Sequence, residues 1–418
     1  MTIKNDRLER DGKIPSTVWK IAIMMFLMNT SYVMTYSFSG LYLKHILGAS
    51  IIIIGVLEGF CEIVSHAMKP FSGMVSDFLG KRKGIMIVGY LFSVISKPIL
   101  ALSGTFSSVL SAKMMERLGN GIQAAPRDAI IGDVAPRKII GASYGIKRSF
   151  AYIGSITGAA LGIFAMKLTN NNYQSVFALA TIPAVAAFFI LVFLIKEPKR
   201  FAHPAITSET PMPAPKVRPK FSFKNFKYLG LSYWMLMAVN AVFMMAKMSE
   251  TFLILRMNEE FQPDIMLAPA VMIAFNLGAA ISSYPIGLLG DKLDRIKLLY
   301  IGIIAIVFSN IIMYSANSGT IMYIGILFWG IQLGATQNVF VSIISERVPE
   351  TLRGTGHGCY WFINAISGFI ADSLAGFVSN HFSLNYIFIS SGMIGLVALL
   401  VLALLINVIS PGSKRRKC

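Results

Sequence analysis

The sequence predicts an all-α integral membrane protein with twelve transmembrane helices in two pseudo-symmetric six-helix bundles, and three observations predict it. First, 55% of the 418 residues are hydrophobic and only 14% are charged. The mean hydropathy is +0.64, which lies outside the range of ordinary soluble domains. Second, apolar runs of the ~20 residues needed to cross a bilayer recur along the whole chain. Third, the chain repeats itself. The turn Gly73-Met-Val-Ser-Asp77-Phe-Leu-Gly80-Lys81-Arg82-Lys83 returns as Gly287-Leu-Leu-Gly-Asp291-Lys-Leu-Asp294-Arg295-Ile-Lys297, 214 positions on. Asp133 to Pro136 returns as Glu346 to Pro349, and Gly141 and Gly145 as Gly354 and Gly358, all at an offset of 213. Two homologous halves follow.

In chain order, residues 1–16 are polar and basic and lack the short apolar core and small-residue cleavage site of a secretory signal. Spans are expected near 17–43, 51–76, 84–103, 107–132, 141–166, 173–196, 228–254, 266–290, 297–316, 320–345, 355–379 and 385–409. Helix is the expected form because hydrocarbon offers the backbone no partners and the alternation of a barrel strand is absent. The Pro-rich, basic stretch 197–227 cannot pack a core of its own and reads as a cytosolic linker between bundles at 1–196 and 228–418.

The formal charge of +18 would suggest nucleic acid in a soluble protein. With the N-terminus inside, however, 27 of the 38 Lys and Arg fall in cytosolic segments and only Lys44, Lys167 and Arg256 fall outside. This is the positive-inside pattern, so the charge sets topology, attracts anionic lipid and needs no nucleic acid to explain it. Both termini are expected in the cytosol. Cys61, Cys359 and Cys418 form neither a metal spacing nor a disulfide framework.

The repeated turn resembles the signature loop of the major facilitator superfamily, the large family of secondary transporters. The first copy matches at Gly73, Asp77, Gly80, Lys81 and Arg82 and departs at Phe78; the second keeps Gly287, Asp291 and Arg295 but has Asp294 where the family has Gly. The resemblance covers the whole chain and implies two bundles that rock about a central site, with this loop as a conformational latch. Independently of the family, Gly73 and Gly80 allow sharp turning and close approach, and Asp77 at a helix end can pair with bases or a helix N-terminus. A plain positive-inside turn is the alternative reading.

In the fourth span, Arg117-Leu-Gly-Asn120-Gly121-Ile-Gln-Ala-Ala125 resembles a family pattern in which the arginine is associated with proton coupling. Arg117 falls near mid-span, where an arginine costs ~2.5–3.5 kcal/mol on insertion scales and so calls for a wet cavity or a carboxylate. An ion pair with Glu116 or another buried acid is the structural alternative. Lys113, Arg117 and Asn120 share one stripe.

In the second span, Glu58, Glu62, His66 and Lys69 occupy a face about 80° wide at 100° per residue and cannot point into lipid. Glu62, near mid-depth, has the surroundings of a proton carrier, and His66 could extend the relay. A self-neutralising structural network is the alternative. The candidate coupling group is therefore Glu58, Glu62, His66 and Arg117.

Gly145, Gly154, Gly158 and Gly162 of the fifth span approach the glycine pattern of drug and metabolite antiporters but lack its proline and final glycine pair. As packing, Gly154, Gly158 and Gly162 make small-xxx-small contacts in any transporter. The second half offers amides and aromatics suited to an organic solute. The candidate cavity comprises Tyr32, Tyr36, Lys113, Asn120, Asn240, Asn276, Trp329 and Gln332.

The function expected is alternating-access movement of a small organic solute, proton-coupled and most plausibly outward, by a monomer in a bacterial inner membrane with lipid, protons and solute as its partners. Uptake of an anionic nutrient or an iron chelate is the alternative within transport, because Lys97, Lys113, Arg117, Lys147, Arg148 and Lys247 bias the spans toward positive charge. A membrane-embedded enzyme or a transport-inactive receptor is the reading from another class. No nucleotide-binding glycine loop appears, the five histidines show no metal spacing, and no cofactor is expected. The topology is testable in sealed cells with a background free of native cysteines. Thr210→Cys should be protected from an impermeant maleimide and Asn170→Cys modified; the reverse would overturn the orientation.

Overall fold

The computed structural model describes residues 14–79, 81–135, 140–197, 229–261, 268–290, 295–348 and 353–409. Among them every regular element is helical. The order is α1 (Ser16–His45), α2 (Ile51–Leu79), α3 (Arg82–Ala101), α4 (Phe106–Val134), α5 (Ile140–Leu168) and α6 (Tyr173–Leu194). The second half follows as α7 (Leu231–Met245 and Glu250–Arg256), α8 (Val271–Gly290), α9 (Arg295–Tyr314), α10 (Gly319–Arg347), α11 (Arg353–His381) and α12 (Tyr386–Ile409). Their bounds follow the apolar runs closely. Among the described residues nine segments are long and apolar enough to cross a membrane, and α4, α8 and α10 complete the twelve. Hydropathy underrates α4 because it carries Lys113, Glu116, Arg117, Arg127 and Asp128 in its 29 residues.

Polar residues place several helix starts. Thr105 and Ser108 form a reciprocal capping box at α4, and Asn172 and Ser318 accept from the first-turn amides of α6 and α10. At α3 the cap comes from a distant carboxylate. Glu197 accepts from the backbone N–H groups of Arg82 (2.6 Å) and Lys83 (2.8 Å), which satisfies two orphan donors and complements the helix dipole.

The departure from expectation is in α7, where 228–254 reads as one unbroken span. The helix stops at Met245 and restarts at Glu250. Ser249 caps the second piece through Thr251 N–H, and the Ser249 N–H itself donates to Asp372 Oδ1 at 2.6 Å. A broken spanning helix is tolerated only where such partners take up the freed backbone groups. The partner here is 123 residues away, beyond the reach of any local pattern.

Burial orders the bundle. The apolar core of α1 is 72% buried, whereas those of α6 and α12 are 33% buried. Helix α1 is therefore interior, and Phe193 (70% exposed) and Leu404 (78%) mark lipid-facing surfaces. Within the first half α1 packs on α5, and α4 on α2 and α3; in the second, α10 packs on α8 and α9, and α12 on α7 and α9. The halves meet along α2 with α11, α5 with α8, and α1 with the second piece of α7.

Two close approaches depend on glycine. A Cβ at Gly158 would collide with Thr30 backbone on α1, and one at Gly59 would lie 2.9 Å from Phe369 Cα on α11, closer than side chains allow. By contrast, nothing lies within 4 Å of a Cβ at Gly145, on the same helix as Gly158. Gly158→Leu is accordingly expected to cost about 1–3 kcal/mol by overpacking and to lower the thermal unfolding midpoint. Gly145→Leu should leave the midpoint within a degree or two. Equal loss from both would show that backbone effects, not helix contact, govern these sites.

Candidate functional site

A cavity of about 300 Å³ lies between the halves. From the first half its wall takes Glu62, Ser65, His66 and Lys69 of α2 with Arg117 and Asn120 of α4. The second half supplies Asn240, Phe243, Lys247, Ser249 and Glu250 of α7, Phe275 of α8, Thr336 and Phe340 of α10, and Tyr360, Trp361, Asn364 and Asp372 of α11. The spacing of four and then three residues on α2 is what turns Glu62, His66 and Lys69 to one side.

Behind this wall runs a network of buried charge. Glu58, 1% exposed, accepts from Lys113 Nζ at 2.5 Å. Arg117 stands between two acids, its Nη2 3.7 Å from Glu58 Oε2 and its Nη1 3.7 Å from Glu62 Oε1. Both separations exceed a hydrogen bond, so Arg117 is held by charge without being locked to either acid. His66 Nδ1 is 2.8 Å from Glu62 Oε2. The guanidinium also lies 5.4 Å and 5.7 Å from the rings of Tyr32 and Tyr36, within cation–π range. Deeper still, fully buried Lys97 pairs with Glu116 and donates to Thr35 Oγ1 at 3.0 Å. Glu116 thus faces α3, and of the structural alternative it is the other buried acid, Glu58, that stands within ion-pair distance of Arg117.

The same network reaches the other half. Thr251 Oγ1 donates to Glu58 Oε1 at 3.2 Å, and Tyr36 Oη is 2.8 Å from Ser249 Oγ and 3.2 Å from Glu250 Oε2. Further along α1, His45 Nε2 meets Asn258 Oδ1 at 3.0 Å and Lys44 pairs with Glu259. These contacts join α1 to the second half from Tyr36 to the C-terminal end of the helix.

The expected groups divide. Glu58, Glu62, His66 and Arg117 form one contiguous set, and Asn120 and Asn240 line the cavity, Asn240 donating to Asn364 at 2.6 Å. Tyr32, Tyr36 and Lys113 border a smaller space behind Arg117 instead. Three expected cavity residues lie elsewhere. Trp329 and Gln332 are fully buried on α10, where Gln332 accepts from Thr336, and Asn276 turns back to Met272 O on its own helix. Polarity within a span marks an interior side chain but not which interior it faces. The sequence reading passed over Trp361, which stacks beneath Lys69 at 4.0 Å. The Tyr360-Trp361 doublet was its only available signal.

Of the expected latch, Gly73 lies on α2 with a Cβ position 3.4 Å from Ala125, and Lys81 precedes α3. Arg82 Nε pairs with Asp133 Oδ2 at 2.5 Å. The backbone N–H of Arg82 donates to Glu197, which follows α6, so these contacts join the start of α3 to α4 and to the end of α6. Gly287 lies in α8 and Arg295 begins α9. Gly80, Asp291, the linker 198–227 and the side chains of Asp77, Tyr284 and Gln337 lie outside the described residues.

Among known proteins, the profile of the Major Facilitator Superfamily matches residues 21–371 and 235–417. An uncharacterised MFS-type transporter of Methanocaldococcus jannaschii is 27% identical over 378 residues, 88% of this chain and 90% of that one. The quinolone resistance protein NorA of Staphylococcus aureus is 26% identical over 173 residues, 41% of this chain and 42% of its own. In fold, a POT family transporter solved with a thioalcohol-conjugated peptide aligns at TM-score 0.75 with 12% identity, covering 95% of this chain and 97% of its own. A D-xylose–proton symporter aligns at 0.69 with 14% identity, covering 92% and 95%. A profile match that runs through both halves, on twelve helices around an inter-half cavity, assigns the chain to the Major Facilitator Superfamily.

Proposed function

We propose that this protein is a secondary active transporter that exports a small organic solute by alternating access, coupled to protons through Glu62 and Arg117. The observation that carries the proposal is the position of Arg117, equidistant at 3.7 Å from Glu58 and Glu62. Of the two acids, Glu62 borders the cavity with a third of its side chain exposed, whereas Glu58 is shut away. A proton arriving from the cavity therefore meets Glu62 first. Neutralising Glu62 leaves Arg117 to Glu58 alone, and Glu58 bonds across the seam to Thr251. The proton thus acts differently on the closed and open arrangements, which coupling requires.

Outward direction draws support from the NorA likeness, which covers 41% of this chain, and from the glycines of α5. The working arrangement proposed is a monomer in a bacterial inner membrane, with both termini and the linker 197–227 in the cytosol between bundles at 1–196 and 228–418.

The test uses purified protein in liposomes and a solute selected from a metabolite panel by its stabilisation of the protein. Glu62→Gln should retain solute exchange across the membrane and lose accumulation driven by a pH gradient. Uphill accumulation by Glu62→Gln would place the coupling acid elsewhere.

A further inference from the structure

Most cations within the spans have a matched acid. Lys97 pairs with Glu116, Lys113 with Glu58, Arg117 with Glu58 and Glu62, Lys147 with Asp128, and Arg256 with Glu260. Lys20 and Arg148 lie toward the termini end of their helices, where a long side chain reaches the interface. Lys69 and Lys247 are different. Neither has a carboxylate within ion-pair distance among the described residues, both border the cavity, and they come from opposite halves.

The cavity's own acids make their direct contacts elsewhere. Glu62 is engaged by His66 and Arg117, Glu250 by the Tyr36 hydroxyl, and Asp372 by the Ser249 N–H at the break in α7. Lys69 Nζ rests 4.0 Å from the Trp361 ring centroid, a contact that orients an ammonium but does not neutralise it. Two ammonium groups on the wall of one cavity, neither in a direct ion pair among the described residues, favour the arrival of a negative charge.

We infer that the cavity binds an organic anion with an aromatic or apolar body, its anionic group held between Lys69 of α2 and Lys247 of α7. The inference rests on the transport reading only in taking this cavity as the solute site. Phe243, Phe275, Phe340, Tyr360 and Trp361 supply the apolar wall for the body. Lysine, a compact point charge, accepts a carboxylate or a phosphate without the planar match that arginine requires. A cation at this place would meet two ammonium groups, and to reach an acid it would have to compete with His66 and Arg117 for Glu62, with the Tyr36 hydroxyl for Glu250, or with the Ser249 N–H for Asp372. Because the two lysines belong to different halves, an anion that contacts both bridges the halves. Solute therefore favours the arrangement in which the halves approach, a differential interaction of the kind alternating access needs.

The experiment is calorimetric titration of the full-length protein in detergent at fixed ionic strength, with four probes on one ring system: 2-naphthoate, 2-naphthyl phosphate, 2-naphthylmethylamine and 2-naphthalenemethanol. The two anions should bind at least about tenfold more tightly than the amine and the alcohol. Lys69→Gln and Lys247→Gln should each weaken the anions by about tenfold or more, and Lys69→Arg should retain binding. Unfolding midpoints of the unliganded variants report their folding, and the wild-type comparison of probes stands without them. The inference is overturned if the amine or alcohol binds as well as the acids, if neither anion binds, or if both folded glutamine variants keep wild-type affinity. No gradient enters this measurement, so failure of proton-driven transport and failure of anion binding are read separately.

Discussion

A charge placed in hydrocarbon must find an opposite charge or water, and much of the first half is arranged around that demand. Helix α4 carries Lys113, Glu116 and Arg117 within a little over one turn, and their partners lie on different helices: Glu58 and Glu62 on α2, Lys97 on α3. Such pairs contribute little net stability, since desolvation offsets most of their attraction. They do penalise every arrangement that separates them. A sliding or rotated α4 would strand several buried charges together, so the network fixes the register of three helices while apolar contacts supply the affinity. The second half does the same work with neutral groups, as in Asn240 to Asn364 at 2.6 Å and Asn310 to Ser391 at 2.9 Å.

The internal repeat also appears in the contacts between halves. Tyr36 and Ser249, and His45 and Asn258, are 213 residues apart, the same offset that separates the repeated sequence motifs. Residues at equivalent places in the two halves therefore touch each other, as they must where two equivalent helices meet on a pseudo-two-fold axis. A self-facing contact of identical residues would set like against like. Divergence has made these pairs complementary, with Lys44 opposite Glu259 and a tyrosine opposite a serine. This stretch of contact between the halves is thus a specialised seam between equivalent surfaces of the repeat.

This also explains which features were legible in the sequence. Span positions, the two-half plan and the polar face of α2 follow from periodicities of a few residues and from a repeat, all of which are visible in one dimension. The proximity of Glu58, Glu62, His66 and Arg117 could be anticipated because each is intolerable in lipid and α2 and α4 belong to one half. The break in α7 was illegible because its support, Asp372, is 123 residues from Ser249. Trp329, Gln332 and Asn276 were misplaced for a related reason: an amide or indole in a span says that it faces protein, and a bundle has several protein-facing interiors. Glu197 at the start of α3 has no local motif at all, because that cap is supplied across 115 residues.

The same side chains close the seam and border the cavity. Glu62 faces the cavity and Arg117; Arg117 faces Glu58; Glu58 accepts from Thr251; Thr251 Oγ1 lies 3.2 Å from Tyr36 Oη, which meets Ser249. Ser249 in turn gives its N–H to Asp372, back on the cavity wall. This chain of contacts passes through both halves and through the break in α7, where the backbone has fewer helical hydrogen bonds to lose on moving. A change of charge at the cavity side cannot leave the seam side untouched, because Glu58 and Arg117 belong to both. Separation of the halves at Thr251 likewise removes an acceptor contact from Glu58 and alters the balance that holds Arg117 midway. Cavity wall and inter-half contacts therefore share the same side chains, and that sharing lets a cavity of about 300 Å³ bear on the packing between the halves.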